Sequence, residues 1–159
     1  MINANFIGKP DAYTNPDAIM RGINYIFRLD PKYHFIYGAY PPTTEAIVDT
    51  FETLRIHFPE QTSPHKIKHF YITFKDCKDI AFINYFSNQV AALFAPYYPI
   101  CFALHDDESH LHTHFIVSTT SYIPDTPPLV DEQWKLFKKE VFQLAFQNHV
   151  NLQGILKNV

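Results

Sequence analysis

The stretch His105-Asp106-Asp107-Glu108-Ser109-His110-Leu111-His112-Thr113-His114 contains four histidines and three acids within ten residues. It lies between two segments that are typical of β-strands. The first, Ile100 to Leu104, is continuously apolar, and the second, Leu111 to Val117, alternates between two faces. One face of the second segment has Leu111, Thr113, Phe115 and Val117, and the other has His112, His114 and Ile116. The stretch therefore predicts a β-hairpin with an acidic turn.

Three histidines of this hairpin are placed to bind a metal ion. Successive side chains along a strand point to opposite faces, so His112 and His114 point the same way. The turn brings His105, at the end of the preceding strand, beside them. Three neutral imidazole nitrogens suit a divalent ion and leave coordination positions open for water or substrate, as catalysis requires. We therefore predict a metal site at His105, His112 and His114, and an exposed position in the turn for His110.

Composition predicts one folded domain across residues 1–159. Hydrophobic residues make up 47% of the chain and aromatic residues 16%, which is enough for a core. Cys77 and Cys101 are too few for a disulfide scaffold, which favours buried thiols in a reducing cytoplasm. No apolar run has membrane-spanning length and residues 1–10 lack the features of a signal peptide, so we expect a soluble cytoplasmic protein without a membrane partner. The net charge of −3 argues against strong nonspecific binding to nucleic acid.

Periodicity predicts four helices and a small sheet. The helices are expected over residues 16–28, from Thr43 or Thr44 to Pro59, over residues 79–95, and over about 131–149. Residues 66–74 alternate as a strand, and a weaker strand is expected within the aromatic loop 30–42. This order is typical of an α+β domain in which helices pack on one face of an antiparallel β-sheet. The open face would present His69 with the three hairpin histidines and would hold the metal site.

Three segments resemble relaxases of the plasmid and transposon mobilisation type, within the HUH endonuclease superfamily. Ala18 to Arg28 resembles the amino-terminal helix with the nucleophilic tyrosine, and Tyr25 is at that position. The segment from His69 to Phe74 is similar to the family strand that begins with histidine. The segment from His105 to Val117 is similar to the family's histidine motif and its following strand. The resemblance covers residues 18–122, and the order of its parts is that of relaxases rather than of replication initiators or small transposases.

The resemblance implies an endonuclease that nicks and rejoins single-stranded DNA at an origin of transfer, during mobilisation of a plasmid or integrative element in the bacterial cytoplasm. Tyr25 is the implied nucleophile, which forms a 5′-phosphotyrosyl intermediate and frees a 3′-hydroxyl. His69 is implied to contact substrate or metal. The implied cofactor is Mg²⁺ or Mn²⁺, and histidine ligands also allow Zn²⁺ or Ni²⁺ in a purified sample. Relaxosome accessory and coupling proteins are the implied partners.

Two acidic and three basic residues complete the predicted site. Asp107 matches the family's motif aspartate and is expected to orient a ligand histidine, and Glu108 is an alternative metal ligand; the sequence leaves this choice open. Tyr25 is expected to project away from the buried side of its helix, one turn from a phosphate-binding Arg21. The other candidates for contact with DNA phosphates alternate along a strand and are Lys66 and Lys68.

Other functions remain as alternatives at this point. Four further tyrosines could replace Tyr25 as nucleophile or stack on unpaired bases, namely Tyr13, Tyr33, Tyr37 and Tyr40. A two-histidine phosphoesterase ranks low, because it needs a threonine or serine two residues after each of two histidines, whereas Tyr71 follows His69 and His114 follows His112. The negative net charge favours a third hypothesis, a relaxase-like accessory protein that binds metal or DNA with weak or no catalysis.

Overall fold

The chain forms an α+β fold around a mixed six-stranded sheet. The structure is a computed structural model, which describes residues 1–29, 31 and 33–157. In chain order its elements are β1 (Ile2–Gly8), α1 (Ala18–Phe27), β2 (Tyr33–Tyr37), α2 (Thr44–His57), a 3-10 turn (Pro59–Gln61), β3 (Ile67–Phe74), α3 (Ile80–Phe94), β4 (Ile100–His105), β5 (Leu111–Ser118), α4 (Asp131–Gln147) and β6 (Val150–Gln153).

The predicted histidine hairpin is at the centre of the sheet. The strand order is β2-β4-β5-β3-β1-β6, and neighbouring strands are antiparallel except for the parallel pair of β1 and β6. His105 lies opposite His112 across β4 and β5, and His114 lies opposite Tyr71 across β5 and β3. The three histidines thus share one face at the end of the hairpin that adjoins the acidic turn.

Helices pack on both faces of the sheet, so the prediction of helices on one face is wrong. One core cluster joins α3 and α4 to the strand residues Phe70, Phe102 and Phe115. The other joins α1 and α2 to residues that include Ile116, which continues the histidine face of β5. The predicted open face is therefore partly covered by α1. The reason is that the apolar side of α1 must be buried, and the histidine face becomes apolar away from the turn.

Gly22 allows α1 to lie close against the sheet. A Cβ atom at this position would lie 2.6 Å from Ile67 Cδ1 and 3.3 Å from Ile116 Cδ1. Both distances are shorter than an ordinary contact between carbon atoms. Because no side chain is present, the helix axis can approach β3 and β5. This close approach brings Tyr25, three residues further along the helix, towards the histidines.

The four predicted helices are present, with small differences at their ends. Thr43 caps α2 by accepting a hydrogen bond from Ala46 N, and Asp79 caps α3 by accepting one from Phe82 N. The first helix begins at Ala18 after Asp17 rather than at residue 16, and the last ends at Gln147 rather than near residue 149. None of the helices in the described ranges combines the length and the apolar character needed to cross a membrane.

Two strands were not predicted, and one was predicted only weakly. β1 and β6 form an edge of the sheet, where they pair in parallel, and neither strand was expected from the sequence. β2 corresponds to the weak strand expected in loop 30–42 and pairs with β4. Asp30 and Lys32, which belong to that predicted loop, lie outside the described residues, as do Asn158 and Val159 at the end of the predicted domain.

Candidate metal centre

The three hairpin histidines form one compact group, and we call it the histidine group. His105, His112 and His114 are buried, and each offers a ring nitrogen within 4.8 Å of the nitrogens offered by the other two. Their ring centroids are 5.4 Å (His105 to His112), 4.9 Å (His105 to His114) and 5.2 Å (His112 to His114) apart. A group of this size could hold a metal ion through three nitrogen ligands, as the sequence predicts.

One ring nitrogen of His105 is buried and has no hydrogen-bond partner among the described residues. Its Nε2 donates a hydrogen bond to the carbonyl of Ile26 in α1, at 2.6 Å. Its Nδ1 is fully buried and has no hydrogen-bond partner in the described part of the chain. An unpartnered buried polar atom costs about 1–3 kcal/mol. A metal ion at Nδ1 would satisfy this atom, so the residues present fit the ion that the resemblance implies.

His112 and His114 each have one nitrogen occupied within the protein. His112 Nδ1 lies 3.1 Å from the carbonyl of His110, which leaves Nε2 for an ion. His114 Nδ1 lies 2.9 Å from His69 Nε2, which again leaves Nε2. In metal sites a hydrogen bond at the far nitrogen commonly fixes the orientation of the ligand ring. Each of the three histidines is therefore held by a protein contact and has one nitrogen available.

Burial lowers the pKa of His69, His105 and His114. Desolvation, and after it the nearby Lys9, lowers the pKa of His69 to about 3. Desolvation, and after it His69, lowers the pKa of His114 to about 2. Desolvation also lowers the pKa of His105, although its hydrogen bond to Ile26 opposes the shift. At neutral pH these side chains thus have the uncharged form that metal coordination requires.

Asp107 approaches the histidine group. Its Oδ1 lies 3.6 Å from His112 Nε2, the nitrogen that remains for an ion. The carbonyl of His110 is beside the other ring nitrogen of His112, and the expectation that Asp107 orients a ligand histidine stays a prediction. Asp107 is placed where its carboxylate could reach an ion directly or through water.

Glu108 is not part of the histidine group. Within the described residues, the group that could hold a metal contains the three histidines and no carboxylate. Glu108 borders a different cavity, next to Phe74 and Lys75. The geometry thus favours Asp107 over Glu108 as the acid beside the ion.

Tyr25 lies against the histidines. Its ring centroid is 5.7 Å from that of His69 and 5.7 Å from that of His114. It is half-buried rather than directed away from the core, contrary to the expectation from helical periodicity. Gly22 explains the difference, because the close approach of α1 to the sheet covers this side of the helix as well.

Two cations beside Tyr25 were not found by sequence reasoning. Lys9 Nζ lies 3.4 Å from the Tyr25 hydroxyl, and the Arg28 guanidinium lies 4.0 Å from the centre of the Tyr25 ring. Arg28 is three residues after Tyr25, so helical spacing could have indicated it. Lys9 follows β1, a strand that was not predicted, and its contact with Tyr25 depends on tertiary packing.

A cavity of about 280 Å³ lies beside His69 and Tyr25. We call it the tyrosine cavity; the residues that line it include Lys9, Asp11, Tyr13, Arg21, Tyr25 and His69. Arg21, a predicted phosphate ligand, forms an ion pair of 2.6 Å with Asp11 in its wall. Tyr13 is 7% exposed and its hydroxyl lies 2.7 Å from His69 Nδ1.

His69 is therefore occupied on both sides, by Tyr13 and by His114. Both of its ring nitrogens have protein partners in this arrangement, and the expectation that His69 contacts substrate or metal stays a prediction. His69 holds His114 in place.

The two predicted lysine contacts are not brought to the histidine group. Lys68 lies opposite Val117 in the sheet register, so it belongs to the other face, where its ammonium is 5.4 Å from the centre of the Trp134 ring. Lys66 precedes β3, and its ammonium lies 3.5 Å from the carbonyl of Pro16. Lys68 therefore lies on the face away from the histidines, because one residue of strand register reverses the face, and contact of Lys66 and Lys68 with DNA phosphates stays a prediction.

Comparisons of the chain with protein-family models, with curated protein sequences and with solved structures each found no match.

Proposed function

We propose that the protein is a metal-dependent endonuclease of the HUH relaxase type, which nicks and rejoins single-stranded DNA through Tyr25. The observation that supports this most is the position of Tyr25, whose ring lies beside His69 and His114 while its hydroxyl lies 3.4 Å from Lys9. A nucleophile from one element, ligands from another and a cation between them are what cleavage of a phosphodiester anion needs.

The histidine group would hold a divalent ion, with Asp107 as an additional oxygen ligand. The nitrogens left free by hydrogen bonding are His105 Nδ1, His112 Nε2 and His114 Nε2. Such an ion, Mg²⁺ or Mn²⁺ in the relaxase hypothesis, neutralises charge on the scissile phosphate and polarises it. Because imidazole ligands accept later transition metals more readily, Zn²⁺ or Ni²⁺ can occupy the same nitrogens in a purified sample.

The chain's own residues would supply the nucleophile and part of the charge compensation. The Tyr25 hydroxyl attacks phosphorus, so that the bond from tyrosine oxygen to phosphorus forms while the bond to the 3′-oxygen breaks. The tyrosine loses its proton and the departing 3′-oxygen gains one. Because one phosphodiester bond replaces another, the step is reversible for rejoining. Lys9, within hydrogen-bond distance of the hydroxyl, is placed to contact a phosphate oxygen. The substrate would be an origin of transfer, and accessory and coupling proteins of a bacterial relaxosome would be partners.

Covalent capture tests this proposal. The protein is incubated with Mn²⁺ and labelled single-stranded DNA from its own genetic neighbourhood, and denaturation-resistant adducts are resolved by gel electrophoresis. We expect an adduct with the natural chain, none with Tyr25→Phe, and at least a hundredfold slower formation with His112→Ala, since loss of one electrostatic contribution to the transition state costs about 10²–10³ in rate.

The matched control is Tyr85→Phe, which removes the same hydroxyl from an exposed tyrosine of α3. It should form adduct at the natural rate. An adduct that persists in Tyr25→Phe, or complete absence of adduct while metal and oligonucleotide still bind, would contradict the proposal.

A second candidate is a relaxase-like accessory protein that binds metal or DNA with weak or no catalysis. The pairing of Arg21 with Asp11 favours it, because this predicted phosphate ligand is already neutralised. The net charge of −3 points in the same direction. Oligonucleotide binding without any Tyr25-dependent adduct is the result that would select this candidate.

A further inference from the structure

A chain of two hydrogen bonds joins the tyrosine cavity to the histidine group. The Tyr13 hydroxyl lies 2.7 Å from His69 Nδ1, and His69 Nε2 lies 2.9 Å from His114 Nδ1. All three side chains are buried. A neutral imidazole has one donor nitrogen and one acceptor nitrogen, so the directions of the two hydrogen bonds are set together. The two hydrogen bonds can therefore both donate towards Tyr13 or both donate towards His114.

A metal ion at His114 selects one direction. Coordination uses the lone pair of His114 Nε2, so the proton of that ring must be on Nδ1, which then donates to His69 Nε2. The His69 proton is then on Nδ1 and donates to the Tyr13 oxygen. In this arrangement Tyr13 accepts from His69, and its own hydrogen is free for another acceptor. In the opposite arrangement Tyr13 donates to His69, and His114 Nε2 bears a proton that prevents coordination.

The freed Tyr13 hydrogen has no acceptor among the described residues. Among the residues that the structure describes, the only hydrogen-bond partner of the Tyr13 hydroxyl is His69. Desolvation by burial raises the pKa of Tyr13 to about 12, so the hydroxyl keeps its proton at neutral pH. Tyr13 and His69 both line the tyrosine cavity, which is the space next to them that a ligand can enter. The acceptor is thus expected to be a ligand in that cavity.

The charges around the tyrosine cavity favour an anion. The charge of Asp11 is offset by Arg21 at 2.6 Å, and its other oxygen accepts a hydrogen bond from Tyr13 N. Lys9, which also lines the cavity, forms no ion pair with any residue in the described ranges. A hydroxyl donor with an uncompensated ammonium beside it is suited to the oxygens of a phosphate group.

We infer that the tyrosine cavity is a phosphate-binding subsite whose affinity rises when the histidine group binds its metal ion, because the ion turns the Tyr13 hydroxyl into a donor towards the cavity. The inference rests on the metal site of the proposed function and extends it to a second phosphate, next to the one that Tyr25 would attack. Thermodynamic linkage requires that phosphate in the cavity raises the affinity for the metal by the same factor.

Calorimetric titration of the natural chain tests the inference without any cleavage step. The probes are the dinucleotide d(TpT), which has an internal phosphodiester, dTMP, which has a terminal phosphate, and thymidine, which has none. Each is titrated with and without saturating Zn²⁺, after the affinity for Zn²⁺ alone has been measured. We expect Zn²⁺ to tighten the binding of d(TpT) about tenfold, the size of one hydrogen bond to a charged group, and to leave thymidine unchanged. Comparison of d(TpT) with dTMP identifies the source of the phosphate.

Two variants separate the effect of the hydrogen bonds from Tyr13 to His114 from direct attraction of the phosphate by the ion. Tyr13→Phe should lose the tenfold effect of Zn²⁺ on d(TpT). Lys9→Gln should bind d(TpT) more weakly in both conditions but keep that effect, because Lys9 is outside the hydrogen-bond chain. Tyr85→Phe, on the other side of the sheet, should match the natural chain.

The outcomes distinguish this inference from the proposed function. If Zn²⁺ tightens the binding of d(TpT) equally in Tyr13→Phe, the phosphate is bound by the ion itself. The inferred role of the Tyr13 hydroxyl is then wrong, while the nuclease proposal is unaffected. If Zn²⁺ has no effect on d(TpT) in the natural chain, the subsite is likewise refuted. If the chain binds no Zn²⁺, the metal site fails and both proposals fail with it. Absence of a covalent adduct alone would contradict only the nuclease proposal.

Discussion

At the level of single residues, contacts from distant parts of the chain hold the histidine group and Tyr25 in place. The contacts of Lys9 with Tyr25 and of Tyr13 with His69 join residues 16 and 56 positions apart in the chain. His69 in turn contacts His114. The site therefore depends on tertiary packing as well as on its hairpin.

The buried histidines predict how stability depends on pH. In the metal-free protein the pKa of His69 is lowered from 6.5 to about 3. Between these values the unfolded chain binds more protons than the folded chain, so the free energy of unfolding falls as the pH falls below 6.5 and is constant above it. Between pH 6.5 and 5.0 this one residue should account for a loss of about 2 kcal/mol.

Urea denaturation in the presence of a chelator measures this contribution. His69→Gln keeps a polar side chain of similar length but has no proton to gain in this range, so its stability should fall less steeply over the same pH interval. The comparison concerns the slopes, because the substitution also lowers stability at every pH. If the free energy of unfolding had the same dependence on pH in both proteins, His69 would not gain a proton on unfolding, which would contradict this prediction.

The histidine group could be predicted from local sequence, whereas its supporting contacts could not. His105, His112 and His114 lie on one face because a hairpin and a two-residue period place them there. The contacts of Lys9 and Tyr13 depend on tertiary packing, so no periodicity in the sequence indicates them.

At the scale of elements, α1 is the part of the fold that builds the site, because it provides Tyr25 and the carbonyl that holds His105. We predict that Gly22→Leu destabilises the protein by about 1–3 kcal/mol, since the new side chain must displace Ile67 and Ile116. Leucine is a better helix former than glycine, so a loss of stability would come from packing and not from helix propensity. Chemical denaturation measures the change.

The exposed Asn24 provides the control for this prediction. Asn24→Leu places a leucine on the solvent side of the same helix and should leave stability within about 0.5 kcal/mol of the natural chain. Equal stability of Gly22→Leu and the natural chain would contradict the close packing of α1 on the sheet.

β1 and β6, the two strands that were not predicted, show why some elements could not be located from the sequence. In β1 the apolar Ala4 and Phe6 alternate with the polar Asn3 and Asn5, which is a strand pattern, but asparagine is depleted in strands and this weakens the signal. Its pairing with β6 joins the two ends of the described chain. Helices were located more accurately, because caps such as Thr43 and Asp79 are local signals.

At the scale of the whole molecule, one sheet separates two environments. The face towards α3 and α4 is a continuous aromatic core, and the other face combines an apolar region under α1 with the histidine group. The sequence predicted the α+β class but not the cover on both faces, because an amphipathic helix does not indicate which face of a sheet it will bury. The position of α1 matters for the proposed function, since the helix partly covers the histidine face and places Tyr25 beside the histidines.

Both proposals require that His105, His112 and His114 bind one metal ion, and crystallography at the absorption edge of manganese would locate this ion. Crystals grown with Mn²⁺ should show an anomalous peak in contact with His105 Nδ1, His112 Nε2 and His114 Nε2, at about 2.0–2.3 Å. Asp107 should lie near the ion, and Tyr25 should remain beside His114. Two results would contradict metal binding by these histidines. One is an anomalous peak elsewhere, with the three nitrogens unligated. The other is no peak with saturating Mn²⁺ and none with Zn²⁺ at the zinc absorption edge.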